Sequence, residues 1–142
     1  MSFRIALIAI AGVYLINLIA TAFGVYSIWP YFDIPMHFLG GLTVGFLGIA
    51  LDKGLKEKNG LRIKQDARLH QFIFVLGFVM TVAVVWEFHE YINDHTIGIW
   101  NGWASAQQPS LDDTMKDLLM GALGGSLSVL LMQYKKVAQS KK

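Results

Sequence analysis

Apolar residues in this chain come in long unbroken runs, not in the alternation of a strand or the narrow stripe of a soluble surface helix. Ile5 to Ile28 carries no charge, and its polar side chains are only Tyr14, Asn17, Thr21, Tyr26 and Ser27. At about 1.5 Å per residue, that run is long enough to cross ~30 Å of hydrocarbon. Ile34 to Leu51 is a second, glycine-rich run whose only ionisable residue is His37. Phe72 to Trp86 is the third and continues as Glu87-Phe88-His89-Glu90-Tyr91-Ile92; Leu118 to Tyr134 is the fourth. The last two apolar cores are short, so polar flanking turns are expected to carry their helices into the interface. The pattern predicts an all-α, polytopic four-helix bundle forming one integral membrane domain over residues 1–142. Spans are expected near 5–28, 34–51, 70–92 and 111–134, with a basic polar connector at Asp52–Leu69.

Composition agrees. Hydrophobic residues make up 54% of the 142 and charged residues 15%, against roughly 25% charged in soluble domains. With a mean hydropathy of +0.47, neither a soluble globular domain nor a disordered chain fits. The lack of cysteine excludes a disulfide scaffold, thiol catalysis and Cys-based zinc sites. A net charge of +2 is too small to point to a nucleic-acid partner.

The placement of charge says more than its sum. All but one of the 12 basic residues fall at Arg4, in the 52–69 connector or after span 4; the exception is Lys116. The positive-inside rule then puts both termini and that connector in the cytoplasm, in a multi-pass protein of the inner (plasma) membrane. Ala20-Thr21-Ala22 resembles a signal-peptide cleavage site, but the apolar run is longer than a signal h-region and continues past it, so no cleavage is expected. Trp29, Tyr31, Trp100 and Trp103 read as an outer interfacial aromatic belt.

Ionisable residues near the spans gather at the opposite, outer level. Asp33 and His37 open span 2, Glu87 and Glu90 close span 3, and Asp112, Asp113 and Asp117 open span 4. At 100° per residue, Asp33 and His37 share a face with Gly40, Gly41 and Gly48. Asp113 and Asp117 share one with Gly121, Gly124 and Ser128, and Glu87, Glu90, Tyr91 and Asp94 form a stripe that leaves His89 on the far side. Gly41-x-x-x-Gly45 and Gly121-x-x-x-Gly125 let helices approach closely in lipid, which places the polar residues on helix–helix faces. Helix capping explains Asp33 and Asp112 as well as a site does, through Pro35 and Ser110; Asp113 fits a capping box with Ser110 but is weighed toward the site. Capping does not explain Glu87 and Glu90, at a helix C-terminus where the dipole disfavours acids, nor Asp117. His70 and His95 read as incidental and His89 as interfacial. Five carboxylates beside one imidazole, with Lys116 the nearest fixed cation, must share protons or neutralise a cation. The candidate metal ligands are therefore Asp33, His37, Glu87, Glu90, Asp113 and Asp117, and the donor set suits Zn, Mn, Fe or Mg.

Asp33-x-x-x-His37-Phe38-x-x-Gly41, then Glu87-x-x-Glu90, then Asp113-Thr114-x-x-Asp117-Leu118 with a glycine-rich tail resembles the YjdF-like bacterial inner-membrane proteins. More distantly the pattern is similar to the VanZ-like membrane proteins, associated with glycopeptide-antibiotic resistance. The resemblance spans about Asp33 to Gly125. Met36 stands where the family usually has Gly, and Gln107-Gln108-Pro109-Ser110-Leu111-Asp112 replaces a Gly-rich approach. The resemblance implies functional roles for the same six residues and supplies no reaction.

The leading expectation is an outer-facing carboxylate/His cluster that binds a divalent cation and acts on a lipid-linked substrate at the outer leaflet, surrounded by membrane lipids. Glu87 or Glu90 would be the general base toward a metal-bound water. No nucleophile motif or phosphate loop names a reaction, so enzymatic activity stays open. Two alternatives remain: a non-catalytic binding or stress-resistance protein with a structural polar core, and a small transporter.

Overall fold

The computed structural model describes residues 2–60, 67–101 and 107–140, and these are helical with no strand among them. Four helices are long and apolar enough to cross a membrane: α1 (Phe3–Ala22), α3 (Asp33–Lys58), α4 (Ala67–Asn93) and α6 (Leu111–Ser140). Between α1 and α3 lie a single turn, α2 (Val25–Ile28), and a 3-10 turn at Pro30–Phe32. A π-helical turn at Asp94–Gly98 and the short α5 (Ile99–Asn101) follow α4. Trp103 of the expected aromatic belt, and Arg62, Lys64, Lys141 and Lys142, lie outside the described residues.

Local chemistry sets the helix ends. Ser2 caps α1 by accepting from the Ile5 amide, and the helix stops at Phe23 because Gly24 takes φ +66°. That left-handed turn ends the first membrane helix at Ala22, although the apolar run continues to Ile28. Hydrophobicity does not register backbone conformation. Helix α3 begins at Asp33, with Pro35 in its first turn, and runs on past Leu51 to Lys58. It stops where Asn59 caps the Leu55 carbonyl and Gly60 turns to φ +62°, with Lys56 and Lys58 favourably placed near the negative end of the dipole. The start of the expected connector is therefore helix, and Asp52 is a buried helical residue rather than a solvated one. It accepts from Lys56 Nζ (2.6 Å) and Gln71 Nε2 (3.5 Å), and His70 Nδ1 lies 3.7 Å away.

The bundle is organised about the α3–α6 pair, which packs through glycine. A Cβ on Gly41 would overlap the Gly121 backbone, one on Gly45 the Ser128 side chain, and one on Gly124 the Phe38 carbonyl. Such contacts replace the hydrophobic drive that lipid cannot supply. Helix α4 closes the third side: Val79 rests on Gly125, and Val75 and Phe78 on Gly48. Ile49, Val75, Val79 and Val129 form the apolar core between the two polar ends. Helix α1 lies against α3 and buries only Ala6 and Ala20, leaving Ile8, Leu15 and their neighbours facing outward.

Candidate functional site

The first two turns of α3 and α6 meet the Glu87–Glu90 stretch of α4, whose helix continues past Asn93, one turn beyond the glycine contacts. His37 projects from the second turn of α3, with Nε2 3.2 Å from Asp33 Oδ1 and 3.9 Å from Asp117 Oδ2 of α6. The i,i+4 spacing puts Asp33 directly over His37 on one face, and the Gly41–Gly121 approach brings Asp117 across from α6. From α4, Glu87 and Glu90 complete the ring. Donor atoms of Asp33, His37 and Asp117 lie within 4.8 Å of one another, as do those of His37, Glu87 and Glu90. His37 is common to both groups.

The carboxylates are deeply placed: Glu87 is 7%, Glu90 9% and Asp117 2% exposed. One oxygen of each glutamate is held. Gln108 Nε2 donates to Glu87 Oε2 at 2.7 Å and to the Glu87 carbonyl at 3.0 Å, and Trp86 Nε1 donates to Glu90 Oε1 at 2.8 Å. The remaining oxygens, Glu87 Oε1, Glu90 Oε2 and Asp117 Oδ1, are buried with no hydrogen-bond donor among the described residues. A buried anionic oxygen left in that state is costly, so these carboxylates call for a shared proton or a cation.

The structure thus brings together Asp33, His37, Glu87, Glu90 and Asp117. Asp113, the sixth candidate ligand, stands apart from both groups. It pairs with Lys116, and its amide is capped by Ser110 Oγ at 3.2 Å, which is the capping arrangement the sequence left open. Asp33 makes no side-chain cap; its carboxylate is directed at His37. Tyr91, placed on the acidic stripe by periodicity, faces out instead and stacks on His95. Asp94 is buried but serves the fold, accepting from the Gln107 and Gln108 amides at 3.1 and 2.8 Å. Gln108 was not a sequence candidate. Its signal is indirect: an amide side chain just before the last helix, following a buried acid that anchors its backbone.

The family described as "Predicted membrane protein (DUF2238)" matches residues 3–137. The chain belongs to that family. The match reaches all four long helices and includes every candidate ligand, so the carboxylate/His ring sits inside the family domain. No curated protein and no solved structure matches the chain.

Beside the ring, a cavity of about 170 Å³ opens between α1, α3 and α4. Asp33, His37 and Glu90 form one end of it, with Tyr14, Asn17 and Trp86 around them. Gly40 belongs to this cavity. It shares neither the Gly41 nor the Gly48 contact, since no neighbouring side chain or helix comes within 4 Å of a Cβ built on it.

Proposed function

We propose that this is a multi-pass protein of the bacterial inner membrane whose outward-facing Asp33/His37/Glu87/Glu90/Asp117 ring binds a divalent cation and uses it on a lipid-linked substrate at the outer leaflet. The observation that carries this reading is the set of three buried, unpartnered carboxylate oxygens around His37. Lys116, the nearest lysine in the sequence, is engaged with Asp113. A divalent ion would supply a missing partner within either donor group, Asp33/His37/Asp117 or His37/Glu87/Glu90, which share His37. Carboxylate oxygens with one imidazole suit Zn, Mn, Fe or Mg. Bound there, the ion would lower the pKa of a coordinated water, and whichever of Glu87 and Glu90 keeps an oxygen off the metal would act as general base.

Orientation belongs to the same proposal. Basic residues at the Asp52 end support a cytoplasmic position for it, with the ring outside. The likeness of the three motifs to the YjdF-like and, more distantly, VanZ-like proteins agrees with this reading and adds no reaction to it.

A structural polar core is the second reading, favoured by the donors that Gln108 and Trp86 already give the glutamates. The carrier reading has less support, because the apolar Ile49–Val75–Val79–Val129 core separates the ring from Asp52 and Gln71. Metal analysis of protein purified without chelator, with a melt in chelator, separates the first two. Stoichiometric metal and a chelator-lowered midpoint support the cation site. Metal-free protein with a chelator-insensitive melt would end it.

A further inference from the structure

Below its polar rim, the cavity between α1, α3 and α4 is walled by Ile10 and Val13 of α1, Val44 of α3, and Val79 and Val82 of α4. The Thr43 hydroxyl, also on the wall, is satisfied within its own helix, donating to the Leu39 and Gly40 carbonyls at 2.9 and 3.0 Å. The wall therefore offers a solute hydrocarbon contact and no free hydrogen bond. Apolar cavities of about 150 Å³ stay dry and take small hydrocarbons, and this one has about 170 Å³. In depth, the cavity runs along α3 from Asp33 to Val44, or about 16 Å at 1.5 Å per residue. That is half of a ~30 Å hydrocarbon core, the depth of one leaflet.

The route in is lateral. Helix α1 packs along α3 but makes no comparable contact with α4 or α6. Between α1 and α4, Tyr14 meets Trp86 edge-on, with ring centroids 6.1 Å apart. Two side chains that turn about their own bonds bridge the helices at this level, and the hydrocarbon nearest that seam is the tail of a neighbouring lipid.

We propose that this cavity receives one acyl chain of a membrane phospholipid, inserted side-on between α1 and α4 past Tyr14 and Trp86, with its head group at the Asp33–His37–Glu90 rim. The inference deepens the proposed function and rests on it for the use made of the lipid. The bare carboxylates would repel a phosphate, so the head group engages the rim through the bound cation. Capture of the hydrocarbon chain itself needs no metal.

The test uses the full chain reconstituted, in chelator, into phosphatidylethanolamine vesicles that contain a fraction of the same lipid with a photoactivatable diazirine near the end of one acyl chain. Adducts are mapped by mass spectrometry. Outward residues such as Ile8 and Leu15 report contact with bulk lipid. Adducts on Val44 and Ala83, partly exposed residues that line the cavity, report the cavity. The expected result is labelling of both sets in the wild type and loss of the cavity set alone in Gly40→Phe, whose ring would fill the open space beside Gly40. Val13→Phe blocks the cavity from α1, with the same expected loss, should Gly40→Phe fail to fold. Labelling confined to outward residues in the wild type would overturn the proposal, as would cavity adducts that persist in a folded filled variant. Because metal is withheld, either result leaves the cation reading to its own analysis.

Discussion

Gly41 of α3 and Gly121 of α6 meet backbone to backbone, and the contact is not symmetric. A Cβ on Gly41 would overlap the Gly121 carbonyl, whereas a Cβ on Gly121 would lie 3.7 Å from the Ala83 Cβ, an ordinary contact with α4. The two small-xxx-small motifs look equivalent in sequence, yet within the Gly41–Gly121 pair only Gly41 has no room for a Cβ. Gly41→Ala is expected to force the helices apart and to lower stability in detergent by about 1–3 kcal/mol or more. Gly121→Ala is expected to be near neutral, and Gly54→Ala, in open space on α3, to gain about 0.5–1 kcal/mol. Equal losses for Gly41→Ala and Gly121→Ala in thermal or denaturant unfolding would contradict the packing.

The four helices were legible because a span needs only sustained hydrophobicity, and the meeting of Asp33, His37, Glu87, Glu90 and Asp117 because helical periodicity places side chains on faces. Periodicity loses its hold where a helix ends or a nearer partner competes. Asp113 shares a face with Asp117 but lies one turn closer to the rim, where Lys116 and Ser110 engage it. Hydropathy treats the Gly24 break as a continuation of the span and Asp52 as solvated loop, since neither a left-handed glycine nor an ion pair with Lys56 changes a window average. The Gln108–Glu87 contact joins residues 21 apart through an Asp94-anchored turn, a relation no local pattern encodes.

That division among the acids sets the second prediction. Asp117 is fully enclosed and shares a donor group with His37, while Asp113 does not. Asp117→Asn should weaken divalent-cation binding at least tenfold, about 1.4 kcal/mol, by titration calorimetry or metal-dependent melting. Asp113→Asn should leave the affinity unchanged. Its pair with half-exposed Lys116 contributes about 0–1 kcal/mol, so the melt should move little. Equal loss of affinity in both variants would mean that Asp113 joins the ring when metal binds.

The proposed orientation has its own test. In intact cells, an impermeant thiol reagent should label Ser110→Cys at the ring end and spare Lys58→Cys at the basic end. The chain's natural lack of cysteine makes each substitution the sole target. The reverse pattern would place the ring on the cytoplasmic side and remove the outer-leaflet substrate from the proposal.

Gln108 offers the sharpest separation of a cation site from a structural polar core. Its amide gives Glu87 two hydrogen bonds, one to the carbonyl and one to Oε2. Gln108→Leu removes both and leaves a buried carboxylate oxygen short of a donor, at a cost of about 1–3 kcal/mol. Gln108→Glu does the same and adds a like charge at hydrogen-bond distance from Glu87, so in chelator its thermal midpoint should fall below that of Gln108→Leu. Divalent metal should then reverse the order of recovery. The added carboxylate enlarges the cation's charge partners, and a ligand that binds only the folded state contributes about 2.7 kcal/mol at a hundredfold excess over its Kd. Gln108→Glu should therefore recover more of its midpoint with metal than Gln108→Leu does. A structural core predicts no recovery in either variant, and identical melts with and without metal would decide for it.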